Sequence, residues 1–139
     1  MDDRSLFLEL ANTDIDIEKM LKIAGLDEIS TAWIMFAYIS PSNDWESQAK
    51  VTNYMERCIE FKGFDSELAK RIARVVIEER LMSTTMTQNV RAAVIGVSRR
   101  TYVRKKNMYE TMIKFAESIL LEFESNARKL MVSYNKDCC

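Results

Sequence analysis

Three glycines and one proline are all that 139 residues provide to interrupt a helix. Gly25, Pro41, Gly63 and Gly96 each fall where an apolar stripe of period three and four runs out, so they read as stops between helices. An all-β chain needs many tight turns, and this one has too few turn-forming residues to build them. The expected fold class is all-α: a compact helical domain in which a helix-turn-helix passes its second helix directly into a long C-terminal amphipathic helix. One domain is expected, divided into a helical body (1–82), a helix-turn-helix (84–106), a long helix (107–134) and a tail (135–139).

Residues 4–11 make one or two helical turns. Thr13, with Asp16 in the box position, is expected to cap a second helix that buries Ile17, Met20, Leu21 and Ala24 and ends at Gly25. Asp27 caps a third over 28–39, with Trp33, Phe36 and Ala37 inward and Ile29, Ile34 and Tyr38 close by; Pro41 stops it. Asn43 and Glu46 have capping-box spacing for a fourth, which presents Val51, Tyr54, Met55, Cys58 and Ile59 and closes at Gly63. Asp65 or Ser66 opens a fifth on Leu68, Ile72, Val75 and Val76. Beyond Gly96 nothing breaks a helix, so 99–134 reads as one rod of about 36 residues and ~54 Å. Its stripe is Tyr109, Met112, Ile113, Ala116, Ile119, Leu120, Phe123, Ala127, Leu130 and Met131. That stripe serves either as the spine of the core or as the seam of a homodimer.

The most informative stretch is Gln88-Asn-Val-Arg91-Ala92-Ala-Val-Ile-Gly96-Val97-Ser98-Arg99-Arg100-Thr101-Tyr102-Val103-Arg104. Two helices that cross through a turn of three or four residues need a small side chain where their backbones approach, which Ala92 supplies. Glycine is the cheapest residue for a left-handed backbone at the turn, and Gly96 stands there. Val97 points into the junction. Ser98 is placed to accept a hydrogen bond from the first free amides of the next helix, with Thr101 at the box position.

Charge singles out the same region. From residue 80 to residue 109 there is no acidic residue, while Arg80, Arg91, Arg99, Arg100, Arg104, Lys105 and Lys106 are cationic, so the formal net charge of −1 divides into +7 here and −8 elsewhere. One basic window in an acidic chain suits a localised anionic partner, and the motif makes that partner double-stranded DNA. The start of the second helix enters the major groove, so Arg99, Arg100, Val103 and Arg104 are the base-reading candidates. Gln88, Asn89, Arg91, Ser98, Thr101, Lys105 and Lys106 are expected to hold phosphates, while Arg80 reads as a solvated surface cation.

Other chemistry has little to stand on. The chain has no histidine, and its three cysteines, Cys58, Cys138 and Cys139, form no Cys-x-x-Cys pair, so neither a metal site nor another cofactor is expected. Asp14 with Asp16 and Asp27 with Glu28 sit at helix starts, where negative charge offsets the helix dipole, and the neighbours Glu78 and Glu79 point apart. No catalytic residue is assigned and the chain is not expected to be an enzyme. The longest apolar run, 32–39, falls far short of the ~20 residues that span a membrane, and a cytoplasmic location is expected.

Thr101-Tyr102-Val103-Arg104, followed by Tyr109-Glu110-Thr111-Met112-Ile113, resembles the C-terminal part of the phage lambda-type Q antitermination proteins, and 48–62, with Asn53-Tyr54-Met55, is similar to their helical body. The family's cysteine-rich zinc module has no counterpart between Glu79 and Gln88. The resemblance, over 44–134, implies a phage-encoded regulator in the host cytoplasm that binds DNA near a late promoter, loads onto bacterial RNA polymerase and lets it read through terminators. Its DNA-reading helix corresponds to Arg99, Arg100 and Arg104. The motif by itself also suits a homodimeric repressor or activator, and the basic window suits a module that binds an acidic protein.

Overall fold

The computed structural model describes residues 3–13, 16–39 and 45–137. These form eight α-helices and no strand: α1 (Asp3–Ala11), α2 (Ile17–Ile23), α3 (Glu28–Ile34), α4 (Trp45–Phe61), α5 (Ser66–Met82), α6 (Gln88–Ile95), α7 (Arg99–Arg104) and α8 (Lys106–Asp137). Gly25, Gly63 and Gly96 all take positive φ at helix ends, where the apolar stripes predict them. Pro41 and Asn43, expected to stop α3 and to cap α4, lie outside the described residues, as do Cys138 and Cys139. No described helix is long and apolar enough to cross a membrane.

The chain divides into two compact units, Met1–Val51 with Leu120–Cys139, and Thr52–Ile119. In the first, α2 is capped by Asp16, whose carboxylate accepts the Lys19 amide at 3.1 Å, and not by Thr13. Thr13 instead donates its hydroxyl to the Leu10 carbonyl at 2.8 Å and finishes α1. Asp27 caps α3 as its position predicts, accepting from the Ser30 amide at 3.0 Å. The expected regular helix over 28–39 widens into a π-helical segment at Met35–Ile39. Here Tyr38 is buried, with its ring 5.1 Å from Phe7 of α1 and Arg4 lying 5.6 Å over its face, while Ala37 is only half-buried. A local change of helical pitch follows such tertiary contacts and leaves no mark in a 3.6-residue pattern.

Phe7, Leu21, Trp33, Ile34 and Val51 have no exposed surface, and α8 adds Leu120, Phe123, Ala127 and Met131 to this core. One acidic side chain is buried among them. Glu124 is 1 % exposed and accepts a hydrogen bond from Trp33 Nε1 at 2.9 Å. Three residues before Ala127, it lies within the span of the apolar stripe, a position that the list of apolar residues passes over. A buried indole N–H needs an acceptor, and Glu124 supplies it.

The second unit is built on the same rule of spacing. Met55 and Ile59 of α4, Ile72, Val75 and Val76 of α5, and Tyr109, Met112, Ile113 and Ala116 of α8 are buried, each Val, Ile or Met side chain contributing roughly 1.5–3 kcal/mol over its exposed state. Asp65 caps α5, accepting the Leu68 amide at 2.9 Å. Tyr54, expected on the inner face of α4, is exposed.

The rod expected over 99–134 is interrupted. Helix α7 ends at Arg104, Lys105 leaves helical geometry with φ −108° and ψ 23°, and α8 starts at Lys106. Tyr102 and Tyr109 explain the break. Seven residues apart in a straight helix they would be separated by ~10 Å along the axis. Their rings are instead stacked 5.4 Å apart and 6° from parallel, both buried. The apolar stripe of α8 is buried within the chain along most of its length, only Ile119 and Leu130 being half-exposed, so it serves as core, the first of the two roles its pattern allows.

Replacing Glu124 by alanine leaves the Trp33 N–H without its acceptor and opens a hole, and is expected to cost about 2–4 kcal/mol. Glu124→Gln keeps an acceptor and loses less than half of that. Urea unfolding followed by the fluorescence of Trp33, in a Trp45→Phe background that removes the exposed indole, measures both.

Candidate nucleic-acid interface

Helices α5, α6 and α7 form a three-helix arrangement in which each junction has an identifiable cause. Thr87 caps α6, its hydroxyl accepting the Val90 amide at 3.3 Å. At the other end Gly96 is left-handed, φ 87° and ψ 28°, and both its amide and that of Val97 reach back to the Ala92 carbonyl, at 2.8 and 3.0 Å. Arg71 of α5 adds a third bond there, Nη1 donating to the Ile95 carbonyl at 2.8 Å. Glycine is required here for its left-handed backbone, and a Cβ at Gly96 would also displace the Arg71 guanidinium from its place beside the turn. Ala92 is 2 % exposed, as a close helix crossing demands. Ser98 caps α7, accepting the Thr101 amide at 3.1 Å and donating its own hydroxyl to Thr101 Oγ1 at 3.0 Å.

The far side of α6 is held by an ion pair. Arg91 donates Nη2 to Glu79 Oε1 at 2.7 Å and Nε to Oε2 at 3.1 Å, and both side chains are only 13 % exposed. Burial works against the charge on Arg91, but the paired Glu79 carboxylate, with the Tyr102 hydroxyl nearby, more than offsets it and raises the guanidinium pKa above its ordinary value. Arg91 therefore stays cationic at every accessible pH. Its guanidinium is engaged by the protein, which corrects its assignment as a phosphate contact. Arg91 ties α6 to α5 and lies against the residue of α7 that fills the core.

The remaining site residues point outward. Ser98, Arg99, Arg100, Val103, Arg104, Lys105 and Lys106 are exposed, and Thr101 is half-buried behind the cap. Asn89 is exposed and Gln88 half-buried at the start of α6. Arg80 is half-buried and engaged, not the solvated cation its sequence position suggests. Among the described residues, Arg99, Arg100, Arg104, Lys105 and Lys106 make no ion pair, whereas Arg71 and Arg74 of α5 are tied to Glu67 and Glu78. The structure thus gathers five unpaired cations on α7 and the first turn of α8. Two members of the motif escaped the sequence, Arg71 and Glu79. Both act over separations of 24 and 12 residues from the next element, beyond any local spacing rule.

Among the described residues no group of three or more histidine, cysteine, aspartate or glutamate side chains is placed to hold a metal ion. No protein-family model, curated protein or solved structure gives a significant match to this chain.

Removing either partner of the Arg91–Glu79 pair strands the other charge. Glu79→Ala and Arg91→Ala are each expected to lose about 2–4 kcal/mol of stability. The apolar double substitution Glu79→Leu with Arg91→Met recovers most of the loss, as thermal unfolding of the three variants will show.

Proposed function

We propose that this chain is a sequence-specific double-stranded-DNA-binding regulator of transcription that reads its site with α7. The observation that carries the reading is the five unpaired cations, Arg99, Arg100 and Arg104 on a helix whose Gly96 turn and Ser98 cap have helix-turn-helix form, and Lys105 and Lys106 at the break that follows it. Phosphate affinity needs exposed cations free of carboxylate partners, and base reading needs a rigid helix that brings arginines to guanine edges. Arg99, Arg100 and Arg104 are the base readers. Ser98, Thr101, Asn89, Gln88, Lys105 and Lys106 hold the flanking phosphates, and Arg91 sets the angle between the helices.

Within this class, antitermination through RNA polymerase is the reading favoured by the resemblance of 101–113 to the phage Q proteins. Binding to one asymmetric DNA element beside a late promoter distinguishes it from dimeric repression, which needs a two-fold site.

Selection from random duplex DNA, followed by sequencing, is expected to return a defined motif. On that motif Arg100→Ala and Arg104→Ala each weaken binding roughly ten- to hundredfold, with helical content and melting unchanged. Lys105→Ala and Lys106→Ala weaken binding to every sequence alike and lower the salt slope by about 0.9 each. Affinity that ignores both salt and sequence overturns the proposal in favour of a protein partner.

A further inference from the structure

Helix α7 carries one exposed apolar side chain, Val103, and folding does not explain it. Val103 is 49 % exposed, one turn beyond Arg99 and between it and Arg100 on the helix face. A β-branched residue in an exposed helix costs about half a kcal/mol relative to alanine and here buries little in return. Immediately beyond the break at Lys105, Met108 is exposed by 37 %, and the two side chains border a shallow groove whose other walls are Arg104, Lys105, Lys106 and Asn107. A small apolar spot is therefore set within a ring of cations and a hydrogen-bonding amide. The surface that complements it is polyanionic and carries an isolated apolar group. Duplex DNA has that combination in the major groove, where the thymine C5-methyl is the apolar feature among the base edges.

We infer that Val103 is a specificity-determining residue that packs on a thymine methyl group in the base step beside the guanine gripped by Arg99 or Arg100. The inference rests on the DNA-binding reading and adds to it a second kind of base discrimination, by shape and desolvation. Arginine alone selects guanine. Val103 adds a preference for thymine over cytosine at one neighbouring position, because only thymine offers a methyl group there.

Deoxyuridine keeps every hydrogen-bonding group of thymidine and removes only the methyl. In the selected duplex, replacing thymidines by deoxyuridine one at a time should weaken binding of the parent chain at one position by roughly three- to fivefold, the value of about one methyl group removed from water. Val103→Ala, which favours the helix and leaves the core untouched, should bind the thymidine duplex with a similar loss and be indifferent to deoxyuridine at that position. If the parent binds the selected site and no single deoxyuridine matters, or if Val103→Ala stays as sensitive as the parent, the inference is overturned while the DNA-binding reading survives. A chain that enriches no duplex at all overturns the reading beneath it, and the inference with it.

Discussion

The three-helix arrangement depends on a largely desolvated ion pair, each side chain of which is 13 % exposed. Glu79 and Arg91 satisfy each other through two hydrogen bonds in a setting where either alone would be costly. Arg71, two turns earlier on α5, grips the C-terminal end of α6 through the Ile95 carbonyl. Helix α6 is thereby held at its middle and at its C-terminal end by one neighbour, and an eight-residue helix, too short to be stable by itself, becomes a fixed strut. The position of α7 follows, because the Gly96 turn leaves it little freedom and Tyr102 anchors it from inside. Polar contacts add geometric precision here to the apolar burial that supplies most of the stability.

Local chemistry was legible in the sequence and long-range chemistry was not. Asp27, Asp65, Gly96 and Ser98 act on amides and carbonyls within four residues, so their spacing revealed the helix ends they make. Thr13 and Asp16 were confused because both lie within reach of the same helix start, and only the backbone decides which one faces the free amides. The break at Lys105 had no glycine or proline to announce it. Stacking of Tyr102 on Tyr109 imposes it, an override of helix propensity by packing. Arg91 looked like one more cation in a basic run, since its partner lies a helix away. Glu124 left no signal in the sequence, because its partner Trp33 lies 91 residues away and hydropathy marks only apolar positions.

Charge is sorted along the chain more sharply than its net value of −1 suggests. The carboxylates outside 80–109 repel a polyanion, and the cations of α7 and the start of α8 attract it. Such a charge division would orient any approaching polyanion as well as draw it in, within a Debye length of about 8–10 Å at cellular ionic strength. Arg71 and Arg74 do not blur this division, because Glu67 and Glu78 neutralise them locally.

The break at Lys105 would limit how much sequence a DNA reader built on α7 could read. Six residues rise ~9 Å, and with base pairs ~3.4 Å apart such a helix spans about three of them. Three fully specified base pairs recur about once in 64 random positions, far too often to mark one address among a million competing sites. A DNA reader built on this helix must draw the rest of its selectivity from elsewhere: a repeated element, sequence-dependent bending, or a larger machine already waiting at the site. A short recognition helix is thus suited to a factor that chooses its place jointly with a partner.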